Sequence, residues 1–256
     1  MKRIITAVVL APFITYAVLW GHHYLFLAVL TSIAMLCFWE FRGIVASHGL
    51  EPPHLAAFAA GLVIMLAPLD VMLPTALALV FLALALRLDN LSKALPSAAC
   101  AVLGLLYVFG TWRTAAELRA ISPWWLFFAL ALNWFGDSAA YYTGRAFGKH
   151  KLAPQVSPGK TWEGTAGSLV ASILFGVVYA HFLLPDVSLP FVAAIAPAGN
   201  IAGQLGDLVE SAMKRGGGLK DSGTLLPGHG GWLDRVDSSL FSVPTVYLLI
   251  THTVTR

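Results

Sequence analysis

Nine apolar runs separated by thin polar segments dominate this chain, near residues 4–20, 23–41, 54–67, 71–87, 96–113, 123–143, 163–184, 189–213 and 238–254. About 20 apolar residues in a helix cross roughly 30 Å of hydrocarbon. Lipid offers a backbone no hydrogen-bond partner, so a crossing segment must satisfy its own N–H and C=O groups, as a helix does. The expected fold is therefore all-α, a polytopic integral membrane bundle of about nine spans. With 58% hydrophobic and 11% charged residues and a mean hydropathy of +0.76, the composition excludes an ordinary soluble domain. The third and fourth runs are short and carry Pro68 and Pro74, which leaves open whether residues 54–87 form two spans or a re-entrant hairpin.

Loops rich in Lys and Arg tend to stay cytoplasmic. With the N-terminus inside, 13 of the 16 Lys and Arg residues fall on inner segments, and only Arg113, Arg119 and Arg256 on outer ones. An odd number of spans then puts the C-terminus outside. The opening MKRIITAVVLAPFITYAVLW has the basic tip and apolar core of a signal peptide, but a second apolar run follows at once and no small-residue cleavage site is clear. It reads as a retained first span. Cys37 and Cys100 lie in apolar runs without metal-ligand spacing and read as filler. Residues 1–122 read as scaffold helices without a chemical constellation, and residues 123–256 as the region carrying a cytoplasm-facing polar site. No long linker or internal repeat separates them, so together they form one continuous membrane domain.

Polar residues gather at three places in the second region. The segment NWFGDSAAYYTGRAFGKHK sets Asp137 after about a dozen mostly apolar residues. A carboxylate at that depth usually faces a bundle interior or a watery cavity, although local pairing with Arg145 near the headgroups would also account for it. Tyr141 and Tyr142 fit either an interfacial belt or ligand contact. Residues 155–164, QVSPGKTWEG, include Gly-Lys-Thr, but a nucleotide P-loop needs glycine at position 154, which is proline. What remains is a loop whose Ser157, Lys160 and Thr161 precede a helix N-terminus, an arrangement that suits an anion. In the eighth run Asn200, Gln204, Asp207 and Ser211 recur at spacings of four, three and four, on one helix face. Such a stripe must look at protein or water, either as part of a site or as an interhelical network.

The stripe leads into the densest polar block, SAMKRGGGLKDSGTLLPGHGGWLDRVD at residues 211–237. Lys214, Arg215, Lys220, Arg235, Asp221, Asp234, Asp237 and His229 share it with seven glycines. Phosphate with a metal ion suits this mixture. Carboxylates bind Mg²⁺, a hard cation that retains water, and glycines let backbone N–H groups approach phosphate closely. Lysine and arginine stabilise charge moving onto a leaving group. One histidine and no cysteine in the block argue against zinc.

The run Ser211, Lys214, Arg215, Lys220, Asp221, Pro227, Gly228, His229, Gly230, Gly231, Asp234, Arg235, Asp237 closely resembles the signature of the phosphatidate cytidylyltransferases, also called CDP-diacylglycerol synthases. GDSAAYYTGRAFGK at 136–149, SPGKTWEG at 157–164 and GDLVES at 206–211 resemble the same family. The resemblance implies a membrane nucleotidyltransferase of phospholipid biosynthesis. It would join CTP to phosphatidic acid and release pyrophosphate, with Mg²⁺ or another divalent cation. On this resemblance Asp207 and Asp234 are the first choices as metal ligands, with Asp221 and Asp237 as rivals and Asp137 as a further member. Lys214, Arg215, Lys220 and Arg235 would hold the phosphates of both substrates, helped by Ser157, Lys160, Thr161, Ser211 and the backbone of Gly228, Gly230 and Gly231. His229 would donate a hydrogen bond to phosphate rather than act as a base. Phosphatidate is already a nucleophile, so positioning and charge neutralisation matter more than a dedicated base.

Two other readings stay in view. One is a sister enzyme with the same CTP site, such as a polyprenol or phytol kinase or a CDP-archaeol synthase; the Lys-Arg and Gly-His-Gly-Gly-x-x-Asp-Arg patterns favour the diacylglycerol enzyme over it. The other is a transporter with Asp137, Asp207 and Glu210 as an ion path, which the gathering of charge on one face and the lack of an inverted repeat disfavour. CTP is cytosolic, and the inferred topology opens all three polar places to the cytoplasm. Short loops and no organelle-targeting segment point to a bacterial inner membrane. The lipid bilayer is the expected surrounding and no nucleic-acid partner is expected. A homodimer packed through apolar spans is left open.

Overall fold

A computed structural model describes residues 2–50, 54–67, 72–88, 90–226, 228 and 230–254. Its elements are α1 (Lys2–Leu19), α2 (His23–Ser47), α3 (His54–Leu66), α4 (Met72–Ala85), α5 (Ala94–Gly104), α6 (Thr111–Ile121), α7 (Pro123–Phe147), β1 (Lys151–Ala153), β2 (Ser157–Thr161), α8 (Trp162–Leu183), α9 (Leu189–Gly216), α10 (Leu233–Val236) and α11 (Ser239–Val254). A 3₁₀ turn (Leu91–Lys93) leads into α5, and a π-helical segment (Leu105–Gly110) joins α5 to α6.

By length and composition, three helices among the described residues could cross a membrane: α2, the continuous stretch Leu91–Ile121, and α8. Helices α3 and α4, of 13 and 14 residues, are apolar but shorter than the roughly 20 residues a crossing needs; Pro68 lies outside the described residues. Among the described residues the fold is all-α, with one antiparallel hairpin at residues 151–161 in place of the expected loop and an isolated bridge between Leu226 and Gly230. Pro154 follows Ala153 in the tight turn closed by Val156 N–H donating to Ala153 O at 3.2 Å. Its fixed φ suits that position.

Two compact units make up the chain, and neither is a continuous stretch. The first comprises Met1–Pro12, His22–Arg113 and Met213–Arg235; the second comprises Phe13–Gly21, Thr114–Ala212 and Val236–Arg256.

In the first unit α2 packs on α3, α5 and the π-helical segment. Phe38 is the centre of that packing, its ring 6.3 Å from Phe41, 5.2 Å from Phe58 and 5.1 Å from Phe109. Helix α2 stops at Gly49, whose φ of +75° is the left-handed conformation that commonly ends helices. Close approach of α5 to α2 depends on Gly104, where a Cβ would run into the Phe41 ring.

The second unit begins its long helix with a clear sequence signal. Ser122 accepts a hydrogen bond from Trp124 N–H at 3.3 Å, and Pro123 takes the first helical position, where its missing N–H leaves nothing unsatisfied. Helix α7 packs along α8 and against α11. Between these apolar faces the polar side chains meet one another. Asn133 donates to Ser242 Oγ at 2.8 Å, Asn200 to Ser168 Oγ at 3.0 Å, and Gln204 to Asn200 Oδ1 at 2.7 Å. Such bonds hold membrane helices together, each by about 0.6 kcal/mol on average. Arg119 donates to Val18 O at 2.7 Å, meeting one of the carbonyls that the end of α1 leaves without a helical partner.

Gly104→Ala tests the close approach of α5. Alanine favours an exposed helix over glycine by about 1 kcal/mol, whereas overpacking a tight contact costs about 1–3 kcal/mol. The expected net result is a lower thermal midpoint in detergent. An unchanged or higher midpoint would mean that the Phe41 ring moves aside freely.

Candidate functional site

A cavity of about 540 Å³ in the second unit is lined by Asp137, Tyr141 and Arg145 of α7, Ser157, Lys160 and Thr161 of β2, and Gln204 and Asp207 of α9. The hairpin brings the lysine in: Lys160 Nζ lies 2.9 Å from Asp207 Oδ2. At the base of the hairpin, His150 Nδ1 and Glu163 Oε1 are 2.6 Å apart, tying it to the first turn of α8. Thr161 caps the same helix by accepting from Gly164 N–H at 3.1 Å. Ser211 donates to Asp207 Oδ1 at 3.2 Å, and Arg145 donates to the Tyr141 hydroxyl at 3.2 Å. The α9 stripe thus divides its work. Asn200 and Gln204 serve the helix–helix network, while Asp207, with Gln204 beside it, reaches the cavity.

In the first unit the polar residues surround the end of α9 and the loop after it. Gly218 takes φ +72°, and Arg215 donates to Leu219 O at 2.9 Å, which closes the helix. A tight turn follows, with Leu226 N–H donating to Gly230 O at 3.0 Å and φ +79° at both Gly228 and Gly230. Lys220, Asp221, Thr224, Gly228, Gly230 and Arg235 line a cavity of about 510 Å³.

Asp234 and Lys214 form a buried ion pair, with side chains only 6% and 8% exposed. Asp234 Oδ2 also accepts from Gly231 N–H at 2.8 Å and Ser222 N–H at 2.9 Å. Burial alone would push this carboxyl up, but the hydrogen bonds from Lys214 and the two amides outweigh it and hold the group below the usual carboxylate range. A second buried carboxylate, Glu40 of α2, meets the same loop. Its Oε2 accepts from Ser222 Oγ at 2.9 Å and Leu233 N–H at 2.8 Å, and its Oε1 from Trp232 N–H at 3.0 Å.

Of the five aspartates expected near a metal, Asp137 and Asp207 share the second unit's cavity. Asp221 and Asp234 both approach Gly230 in the first unit. Asp237, in the second unit, accepts from Ser238 N–H at 2.6 Å just before α11. Among the described residues no three His, Cys, Asp or Glu side chains gather as a metal cluster. Asp137 and Asp207 in the second unit's cavity, and Asp221 in the first unit's, still suit Mg²⁺, which is commonly bound by one or two carboxylates with water and substrate phosphates as its other ligands. His229 and Pro227 lie outside the described residues. Glu40 and Ser222 escape the sequence reading. An ionisable residue in an apolar run is itself a signal, but Glu40 stands so near the end of its run that it resembles a headgroup residue.

Residues 1–253 match the profile of the cytidylyltransferase family. The chain belongs to that family. It is 46% identical over 123 residues to the phosphatidate cytidylyltransferase of Haemophilus influenzae, covering 46% of this chain and 43% of the relative. Identity to the phosphatidate cytidylyltransferase of Bacillus subtilis is 40% over 153 residues, 58% of this chain and 56% of the relative. The corresponding protein of Staphylococcus saprophyticus is 41% identical over 148 residues, 58% and 54%. The chain thus spans about half the length of the curated cytidylyltransferases it matches.

The Lys214–Asp234 pair yields a stability test in this cytidylyltransferase-family chain. Lys214→Met keeps the apolar stem and leaves Asp234 buried without its cation, a type of change that costs about 3–5 kcal/mol. Because the folded-state pKa of Asp234 is depressed, its contribution is complete above the ordinary aspartate value of 3.8 and is lost as pH falls through the lower folded value. Thermal midpoints of wild type and variant in detergent should lie far apart at neutral pH and converge below pH 3.8. A gap that stays constant would place the effect elsewhere.

Proposed function

We propose that this chain is a phosphatidate cytidylyltransferase, transferring CMP from CTP to phosphatidic acid to give CDP-diacylglycerol and pyrophosphate. The observation that carries the reading is the overlap between motif and fold. Signature residues Lys214, Lys220, Asp221, Gly228, Gly230, Gly231, Asp234 and Arg235 are the ones that build the first unit's ion pair, turn and cavity. The relatives in Haemophilus influenzae, Bacillus subtilis and Staphylococcus saprophyticus, each a phosphatidate cytidylyltransferase, support the same activity.

In the proposed reaction a phosphate oxygen of phosphatidate forms a bond to the α-phosphorus of CTP. The bond from that phosphorus to the β-bridging oxygen breaks, and pyrophosphate leaves with the electron pair. No side chain has to abstract a proton, so the protein's part is to hold phosphates in line and to neutralise their charge. Lys220 and Arg235 in one cavity, and Lys160 and Arg145 in the other, are cations placed to meet phosphate oxygens. Arg215, whose guanidinium closes the end of α9, contributes charge to the loop. The carboxylates that would hold a divalent ion are Asp207 with Asp137, and Asp234 with Asp221. Asp207 ranks ahead of Asp234 because it lines a cavity and its side chain is 28% exposed, whereas that of Asp234 is 6% exposed. When bound, such an ion would screen the triphosphate and the departing pyrophosphate.

The same reading places the chain in a bacterial inner membrane as a polytopic bundle, with the N-terminus and the CTP-binding groups on the cytoplasmic side. The bias of Lys and Arg supports that orientation, and the three apolar helices support the membrane.

The test is transfer of radiolabelled cytidine from CTP to the lipid phase by purified protein in detergent. Label should appear there only with phosphatidic acid and Mg²⁺ present, with equal release of pyrophosphate. Asp207→Asn should abolish turnover without lowering the thermal midpoint, and Lys160→Ala should reduce it about tenfold or more. Lipid-phase label independent of phosphatidate would sink the activity, and full turnover by D207N would remove Asp207 from the metal assignment.

A further inference from the structure

We infer that Glu40, on α2, is a positioning residue: it fixes the Ser222–Leu233 loop so that the Asp234 carboxylate and the cavity beside it are held in one shape before any ligand arrives. The inference rests on the proposed role of Asp234 and goes beyond it, because Glu40 lies outside every motif of the signature.

Glu40 is 3% exposed, and the three donors given above, Ser222 Oγ, Trp232 N–H and Leu233 N–H, all belong to the loop that carries the signature. Ser222 joins the two carboxylates, since its hydroxyl donates to Glu40 and its amide to Asp234. Gly231 is pressed into the same junction. Its N–H donates to Asp234, and a Cβ there would collide with Ser222 Oγ and the Glu40 carboxylate. Gly223 is similarly close, a Cβ lying 2.7 Å from Glu40 Oε1. Glu40 and Asp234 therefore take their hydrogen bonds from one stretch of backbone, and at Gly231 and Gly223 that backbone lies too close to Glu40 to admit a side chain. Both Glu40 oxygens are engaged by the loop, and Glu40 is not among the residues that line the cavity, so it acts as a brace. Partners of this kind, one step removed from a bound ion, typically change its affinity or the activity by about 10- to 100-fold when altered.

Glu40→Gln is the discriminating variant. The amide keeps the shape but turns an –NH₂ toward groups that are themselves donors, so at least one of Trp232 N–H, Leu233 N–H and Ser222 Oγ loses its acceptor. Hydrogen exchange on the full chain in detergent should rise about tenfold or more across residues 220–235 and stay unchanged in α3 to α5. In the CTP and phosphatidate assay the Mg²⁺ concentration for half-maximal rate should rise about tenfold, with a smaller change in the rate at saturating Mg²⁺. Ser222→Ala, which removes one donor and leaves the carboxylate, should move both readouts in the same direction by less, and it carries the test if E40Q does not fold. Exchange that rises evenly along the chain, or an unaltered Mg²⁺ requirement, would overturn the positioning role. Wild-type protein that transfers no CMP, with exchange in E40Q still raised only at 220–235, would overturn the proposed reaction while upholding Glu40's hold on the loop.

Discussion

A carboxylate taken out of water must be met by donors or by a cation, because leaving it bare costs several kcal/mol. The first unit answers that requirement twice, at Asp234 and at Glu40, with largely one set of donors. The loop from Ser222 to Leu233 supplies backbone amides and a hydroxyl, and α9 supplies the Lys214 ammonium. Neither carboxylate could occupy its position without the loop, and the loop's described residues before Leu233 belong to no helix or multi-residue strand. Electrostatic satisfaction does here what a strand ladder or a helix would do elsewhere.

The second unit meets the same constraint with neutral groups. Asn133, Ser168, Asn200, Gln204 and Ser242 pair across helices whose remaining surfaces are apolar. This leaves Asp207 and Lys160 as a charged pair at a cavity wall. The contrast has a physical sense. Neutral amides and hydroxyls join helices at modest cost, while Asp207 and Lys160 stand where water or a charged ligand can reach them.

What the sequence made legible follows from the range of each interaction. Apolar runs announced helices because periodicity and length act within a single segment, and the α9 stripe was visible for the same reason. The Ser211–Asp237 block stood out by its density of charge and glycine, and its resemblance to one family carried the function further than residue chemistry alone could. The hairpin at 151–161 was not visible, because its short strands carry no alternating pattern and Gly-Lys-Thr looks like an open loop. Glu40 was hidden by distance along the chain. Its partners lie more than 180 residues away, and nothing local to WEFR distinguishes a brace for a remote loop from a residue at a lipid headgroup.

The junction of Glu40, Ser222, Gly231 and Asp234 also bears on how such a sequence can drift. Each residue occupies space or an acceptor position that another defines, so a replacement at one leaves a collision or an unmet donor at its neighbour. An intermediate with one member changed is at a disadvantage before the second change arrives. Residues more than 180 positions apart along the chain are thereby bound to a common history, and substitution at this corner of the protein has to proceed by rare joint steps.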